Sequence, residues 1–250
     1  MDQPIPILAR GREWVVVAKP PRIICHRNKQ ARKARAMLQR VRDQLGKRVY
    51  LVHRLDRNTS GCMIIATDNN VAGQLHSALG KGQKTYVAFV RGYFDHEGVI
   101  TVDTEIPSPR GSQTALSKVS CIGRSHEPRC SLLRVQPKTG RHHQVRRHVR
   151  DLHHPVLGDR EHGDHRESRI WREEHGLSRL GLHALRIEMD LPEGGRLSVT
   201  SPLYADHQAV FEKLPFWQDA VAQEPALALP PIHWEGEDGM DAPSHDEVGD

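Results

Sequence analysis

The amino-acid sequence predicts an α+β fold. Short apolar, β-branched runs bounded by Pro and Gly predict strands, and apolar residues that recur at i, i+4 and i+7 predict helices. Across the whole chain these segments mix without the strand–helix–strand regularity of a parallel α/β protein. The 250 residues suffice for one sizeable core or two small ones. We predict one domain over residues 1–222 and an acidic, disordered tail over residues 223–250.

The N-terminal third is predicted to contain, in order, a strand, a helix, a strand, a helix and a strand, at residues 13–18, 30–45, 62–66, 69–79 and 84–92. The first strand stops at the proline after Lys19, because proline cannot continue a ladder. The first helix has Met37 and Val41 on one face and ends before Gly46, which is typical of a helix C-terminus. The second helix is expected to open near Asp68.

The rest of the chain is predicted to be richer in strands. Pro107, Pro109 and Gly111 interrupt residues 95–118, which favours a hairpin with an exposed loop. A strand at 130–136 leads through a turn at Pro137–Gly140 into a helix. The remaining predicted elements are a helix at 141–151, a charged loop-rich stretch at 158–179 with a short helix around Arg169–Glu174, paired strands at 180–190 and 196–200, and a helix at 206–221.

Composition excludes several classes of protein. No run of 18 apolar residues occurs, so no membrane span is expected. The N-terminus lacks a basic segment followed by a long apolar stretch, so we expect no secretory signal. The four cysteines, which lie far apart and form no CxxC pair, argue against a structural zinc site and fit a reducing cytosol: Cys25, Cys62, Cys121 and Cys130.

The net charge indicates a polyanionic partner. The whole chain has 36 Lys+Arg against 31 Asp+Glu, a formal charge of +5. From Glu224 onward there are eight acidic residues and no Lys or Arg, so residues 1–223 have 36 basic against 23 acidic residues, or +13. A body this basic favours nucleic acid, because neutralising phosphates releases counterions. Solubility alone is the alternative explanation.

The segment from His53 to Gly61, HRLDRNTSG, is the most informative part of the sequence. It places Asp56 between Arg54 and Arg57, just before a buried strand. A carboxylate held at the edge of a strand among cations stays ionised, which suits a nucleophile or a general base. From the residues alone, a surface loop in which Asp56 pairs with either arginine is the alternative.

This segment resembles the HRLDxxTSG signature of the RluA-type RNA pseudouridine synthases. Five further elements resemble that family's motifs, in the family's order: Lys19-Pro20-Pro21 with His26, Lys84–Gly92 (KTYVAFVRG), Pro137–His148 (PKTGRHHQVRRH), His154–Asp159 (HPVLGD) and Leu182–Ala184 (LHA). The resemblance implies the pseudouridine synthase fold, a long mixed and mostly antiparallel bent sheet, flanked by helices and loops, with a central cleft. Arg22 departs from the pattern, because the family usually has glycine there.

Two stretches, Val41–Gly46 and Gly158–Asp164, are closer to one branch, the TruC-like tRNA pseudouridine synthases. That branch implies isomerisation of a uridine in tRNA, at position 65 in the acceptor-stem region. The alternatives are a pseudouridine synthase that acts on ribosomal RNA and a catalytically silent RNA-binding protein of the same fold. A third alternative is a hydrolase that releases the free base.

The resemblance also implies the roles of individual residues. Asp56 acts on the nucleoside, Arg146 keeps Asp56 ionised (with Arg141 as the second candidate), and Tyr86 lies against the target base. Arg54 fills the space left by the flipped nucleotide. Leu182 is either a pocket wall or an ordinary core residue. The remaining candidates for contact with RNA are His53, Arg57, Thr59, Arg141, His143 and Gln144.

The reaction implied here needs no cofactor, because nothing is oxidised and no group is donated. The seventeen histidines invite a metal interpretation, with His142-His143, His153-His154 and His162 with His165 as the nearest groupings. The family uses no metal, and adjacent histidines on a helix point in different directions. We therefore expect no metal site, an RNA partner, no membrane contact, a monomer and a cytoplasmic location.

Overall fold

The chain forms two compact units. The computed structural model describes residues 3–27, 32–109 and 111–235. Among them, the first unit is built from the chain up to Gln83, from Arg186–Ser201 and from Trp234 onward, and the second from Lys84–Leu185 and Pro202–His233. The single domain predicted over 1–222 therefore contains parts of both units. Strands and helices mix without βαβ regularity, which confirms the predicted α+β class.

The first unit contains an antiparallel sheet and two helices. Its elements are β1 (Ile7–Arg10), β2 (Trp14–Lys19), α1 (Met37–Leu45), β3 (Tyr50–Leu51), β4 (Ser60–Ala66), α2 (Asn69–Lys81) and β10 (Arg196–Thr200), which pairs with the second half of β9 (Leu182–Asp190). β2 lies between β1 and β4, in a register that pairs Lys19 with Gly61. All residues of β2 and β4 are buried. Their apolar side chains pack with α2 through Leu75 and Leu79.

The described residues of the second unit contain antiparallel strands of a sheet, four α-helices and a 3-10 helix. Its strands are β5 (Gln83–Arg91), β6 (Val99–Ser108), β7 (Gly111–His126), β8 (Arg129–Pro137) and the first half of β9. The first residue of β5, Gln83, belongs to the first unit. The α-helices of the second unit are α3 (Gln144–Asp151), α4 (His165–His175), α5 (Ala205–Phe211) and α6 (Trp217–Gln223). The strand order is β5-β8-β7-β6. Phe89 and Ala88 belong to two different core clusters, because successive side chains of a strand point to opposite faces of a sheet.

Three predictions about elements agree closely with the structure. The carboxylate of Asp68 accepts the main-chain N–H groups of Asn70 and Val71 and caps α2, as expected. The predicted hairpin over 95–118 is present, although its strands extend from Val99 to His126. The predicted pairing of 180–190 with 196–200 is also present.

Several boundaries were wrong. The helix predicted over 30–45 begins only at Met37, because Ala36 is extended with ψ at 165°; residues 30 and 31 lie outside the described residues. The helix predicted over 141–151 begins at Gln144, after His143 with a left-handed φ of 52°. The helix predicted over 206–221 is two helices separated by Pro215, and the short helix expected near Arg169–Glu174 is the longer α4.

Part of the segment expected to be disordered is folded. Pro225–Ala228 forms a 3-10 helix, and Leu227 within it is fully buried. Ile232 donates its main-chain N–H to Leu203 at 2.8 Å and accepts from Ala205 at 3.0 Å. Residues 236–250 of the expected tail lie outside the described residues. No helix among the described residues is long and apolar enough to cross a membrane.

Candidate active site

The loop that contains Asp56 connects β3 to β4 in the first unit. We call residues His53–Thr59 the aspartate loop. Arg54 is exposed, Leu55 is buried, and Asp56 and Arg57 are half-buried. The main-chain N–H of Thr59 donates to the carbonyl of Asp56 at 3.1 Å, so a turn follows the aspartate directly. Thr59 is itself 1% exposed.

Lys19 anchors this loop from the end of β2. Its side chain is fully buried, and its ammonium donates to the carbonyls of Pro20 at 2.8 Å, Arg57 at 3.0 Å and Thr59 at 2.9 Å. A buried ammonium is tolerated where several acceptors surround it. Sequence reasoning used Lys19 only as part of a motif and missed this role, although a lysine that ends an otherwise apolar strand was a usable signal.

Two further side chains fix the loop from the other side. The Cys25 thiol donates to the Leu55 carbonyl at 3.1 Å and accepts the Leu55 N–H at 3.4 Å. His53 Nε2 accepts the main-chain N–H of Ile64 in β4 at 3.0 Å. These contacts hold the backbone on both sides of Asp56 in place, so the main chain at Asp56 is positioned by side chains outside the loop as well as by the loop itself.

Arg22 contacts the same loop. Its carbonyl accepts from Nε of Arg57 at 3.3 Å, and its φ is +65°. Glycine adopts this left-handed conformation without steric cost, which fits the glycine expected at this position from the resemblance.

In the second unit, Tyr86 lies in β5 and is half-buried. Its ring packs against the apolar cluster that includes Val145 and Val149 of α3. Leu182 belongs to the same cluster and is 3% exposed. Tyr86 and Leu182 are therefore brought to one cluster, in which Leu182 serves as a core residue.

Gln144 holds the turn that precedes α3. Its Oε1 accepts from the Thr139 hydroxyl at 2.7 Å and from the Arg141 N–H at 3.0 Å. Its Nε2 donates to the Leu116 carbonyl and to the Ser117 hydroxyl, both at 3.0 Å. We expected the Gln144 amide to contact RNA, but both its oxygen and its nitrogen have hydrogen-bond partners inside the protein. Arg141 is exposed, and its Nε donates to the Thr114 carbonyl at 3.1 Å.

Arg146 forms a buried, bidentate ion pair with Asp159. Its Nε and Nη2 each donate to one carboxylate oxygen at 2.7 Å, and the side chains are 3% and 0% exposed. The same carboxylate accepts the main-chain N–H groups of Glu161 and His162 at 2.9 and 3.0 Å. Burial would raise the pKa of Asp159, but the hydrogen bonds and charge of Arg146 outweigh it and keep that pKa below its ordinary value. Sequence reasoning gave Asp159 no role.

His143, Glu161 and His162 form the grouping in the described residues whose donor atoms could hold a metal ion. His143 Nδ1 lies 2.9 Å from His162 Nε2 and 3.4 Å from Glu161 Oε1. Burial and the charge of Arg146 lower the pKa of His162 to about 4, and burial also lowers the pKa of His143. Because Arg146 Nη2 is 3.7 Å from the other oxygen of Glu161, a dication here would lie close to a guanidinium. The geometry fits a hydrogen bond between two neutral histidines better than a metal centre.

Solved structures share this fold. Two solved human structures, RNA Pseudouridylate Synthase Domain Containing 1 and Domain Containing 4, share it with TM-scores of 0.64 and 0.62, each at 22% sequence identity. The alignment with the first structure covers 79% of this chain and 83% of the human chain. The alignment with the second covers 87% of this chain and 92% of the human chain. The chain therefore has the fold of these two structures.

A family model described as RNA pseudouridylate synthase matches residues 13–151. The chain belongs to that family, which confirms the resemblance seen in its motifs. It is 38% identical over 213 residues to tRNA pseudouridine synthase C of Pectobacterium carotovorum subsp. carotovorum and 37% identical over 211 residues to that of Yersinia pestis. Each match covers 76% of this chain. The match covers 56% of the length of the Pectobacterium protein and 82% of the length of the Yersinia protein.

Proposed function

We propose that this protein isomerises a uridine of tRNA to pseudouridine, at position 65 in the acceptor-stem region. Relatives that are 32–38% identical over most of this chain are named tRNA pseudouridine synthase C, which supports tRNA as the substrate. The Val41–Gly46 and Gly158–Asp164 stretches support the position. The function accounts for a basic body, and we propose that the protein acts in the cytoplasm as a monomer without cofactor or metal.

The reaction breaks the bond between N1 of uracil and C1′ of the ribose and joins C1′ to C5 of the same base. C5 loses a proton and N1 ends with one, so atoms balance and no electrons are exchanged with a partner. The site must supply a carboxylate, a pocket that retains the detached base and a way to take the nucleotide out of its stack.

Asp56 supplies the carboxylate. It attacks C1′, attacks the base or assists loss of the C2′ proton, and each of these roles requires the ionised form. The family resemblance assigns to Arg146 the role of keeping that carboxylate ionised, and within the second unit the ion pair with Asp159 holds the Arg146 guanidinium in place. Tyr86 stacks on the target base, and the exposed Arg54 occupies the space that the flipped nucleotide leaves.

The observation that carries the proposal is the fixed backbone of the aspartate loop. Lys19 and Cys25 bind the carbonyls of Leu55, Arg57 and Thr59 with their side chains, directly beside Asp56. Such anchoring suits a group that must meet a reacting atom within a fraction of an ångström. An aspartate that served only as a surface ion pair would need no comparable support.

The test is to incubate purified protein with unmodified tRNA transcripts and to map pseudouridine by carbodiimide-dependent stops of reverse transcription. We expect one new stop, at position 65, with wild-type protein and none with Asp56→Asn. The exposed Asp219→Asn is the matched control and should keep the stop.

Three outcomes would contradict parts of the proposal. Stops in ribosomal RNA alone would move the substrate from tRNA to rRNA, and stops at another tRNA position would overturn the site assignment. If Asp56→Asn no longer bound tRNA in a gel-shift assay, the residue would have a structural role rather than a chemical one.

A further inference from the structure

Lys84 is a half-buried cation near the start of β5. Burial lowers the pKa of its ammonium, and no other group contributes to that shift. Within residues 3–27, 32–109 and 111–235, the ammonium forms no hydrogen bond and no ion pair. A partly dehydrated charge without a partner is costly, so an anion that arrived there would recover the lost free energy.

The position of Lys84 places this cation beside a turn. β5 pairs with β8 in a register that puts Tyr86 across from Val135, and the same register continued by two residues puts Lys84 across from Pro137. A Cβ built on Gly140 would lie 3.8 Å from Nζ of Lys84. The ammonium therefore lies against the Pro137–Arg141 turn, at the point where that turn has no side chain.

The turn itself is rigid and basic. Besides the four hydrogen bonds of Gln144, the N–H of Lys138 donates to the Leu116 carbonyl at 2.8 Å. The side chains of Lys138 and Arg141 are exposed, and neither forms an ion pair with a carboxylate of the described residues. Three cations thus surround a fixed stretch of backbone, and none of them is neutralised there.

Lys84 and Tyr86 are two residues apart on one strand. Their side chains therefore point to the same face of β5, about 7 Å apart along it. A ligand that places a base against Tyr86 and an anionic group one step away would meet both side chains. A polynucleotide has this arrangement, because every base is attached to a ribose that phosphodiesters link to its neighbours.

We propose that Lys84, together with the Pro137–Arg141 turn, is a subsite for a backbone phosphate of the RNA next to the nucleotide that Tyr86 contacts. This proposal rests on the proposed function. The ligand of Lys84 is then a phosphodiester of the RNA backbone.

The salt dependence of binding tests the proposal. Affinity for an unmodified tRNA transcript would be measured by fluorescence anisotropy between about 50 and 200 mM KCl. Lys84→Met should weaken binding and lower the slope of log K against log salt by about 1, the loss expected for one phosphate contact. Lys84→Arg should keep the wild-type slope, because it retains the charge. Lys213→Met, at an exposed lysine of the same unit, is the matched control and should also keep it.

A second variant keeps Lys84 in place. Gly140→Asp puts a carboxylate within reach of the ammonium, on a residue that is exposed and has no clash at its Cβ. If the subsite binds phosphate, this variant should show the same loss of slope. Single neutral methylphosphonate linkages on either side of the target would then identify the phosphate. One of them should weaken wild-type binding yet have no effect on Lys84→Met.

The outcomes separate this proposal from the one on which it rests. A wild-type slope in both Lys84→Met and Gly140→Asp, with pseudouridine still formed, would overturn the phosphate subsite and leave the function intact. If wild-type protein forms no pseudouridine in tRNA but binds it with a slope that depends on Lys84, the function fails and the phosphate contact stands. An equal loss in Lys213→Met would show a diffuse charge effect and would also overturn the subsite.

Discussion

At the scale of single residues, the contact between Arg146 and Asp159 is the most consequential one in the second unit. Both groups are charged and buried, and each carboxylate oxygen accepts one N–H of the guanidinium, so each group offsets part of the cost of burying the other. The pair also joins α3 to the HPVLGD segment through the main-chain N–H groups of Glu161 and His162. The same contact therefore bears on stability and on the orientation of the guanidinium.

We predict that Asp159→Asn lowers the free energy of unfolding by about 3–5 kcal/mol, because it removes the carboxylate that binds both Nε and Nη2 of the buried Arg146 guanidinium. Urea denaturation of the purified variant at pH 7.5 measures this change. The control is Asp151→Asn, which removes the exposed pair between Arg150 and Asp151 and should cost less than about 1 kcal/mol. Equal effects of the two variants would contradict the assignment of Arg146–Asp159 as the structurally important pair.

The roles of such residues were only partly visible in the sequence. The motif around Asp56 located the loop, and its resemblance to a family gave the chemistry. The ion pair could not be predicted, because Asp159 is 13 residues from Arg146 and the contact depends on how the chain folds back after α3. The role of Gln144 was also not predictable, since its four partners lie on β7 and in the turn before α3.

At the scale of elements, periodicity located the helices and strands better than it located their ends. The predicted start of α2 matches the structure because the Asp68 side chain caps that helix. α1 begins later than predicted because Ala36 is buried in an extended conformation. Composition failed at the C-terminal segment. Pro, Ala and acidic residues predicted disorder there, yet Leu227 packs with Phe216 and Trp217 in the main core of the second unit. Tertiary packing outweighs local composition in such a short segment.

The C-terminal segment should contribute measurably to stability. We predict that Leu227→Ala lowers the free energy of unfolding by about 2–5 kcal/mol, the usual cost of truncating a buried leucine. Leu229→Ala is the matched control, because Leu229 is 38% exposed, and it should change stability by less than about 0.5 kcal/mol. Thermal and urea denaturation would measure both. If Leu227→Ala unfolds like wild type, the segment does not pack as described.

At the scale of the whole molecule, the second unit buries several histidines in neutral form. Five of its described histidines have a lowered pKa, with burial as the main cause: His143, His148, His154, His162 and His207. His207 is the clearest case, because it is 1% exposed and Arg179 and His183 add to the effect of burial, while Asp206 opposes it. The folded chain resists protonation at these sites, and the unfolded chain does not.

This asymmetry predicts a loss of stability in mild acid. Above about pH 6.5 the histidines are neutral in both states and their contribution is complete. As the pH falls below that value, the unfolded chain binds protons that the folded chain cannot, so the free energy of unfolding falls. Each such histidine contributes about 1.4 kcal/mol per pH unit. For His162 the fall continues to its folded pKa of about 4. The lowered pKa of Asp159 acts in a different window, since its contribution is lost only below about pH 4.

Urea denaturation at pH 7.5, 6.5, 5.5 and 4.5 would show this slope. His207→Gln removes one titrating group but keeps a side-chain N–H that can donate to the Leu180 carbonyl, which His207 Nε2 approaches to 3.1 Å. The variant should follow the same trend with a slope smaller by about 1.4 kcal/mol per pH unit between pH 6.5 and 4.5. Its stability relative to wild type should therefore improve as the medium becomes more acidic. A wild-type stability that stays constant between pH 7.5 and 4.5 would mean that these imidazoles become protonated without unfolding, and that their surroundings accept the charge.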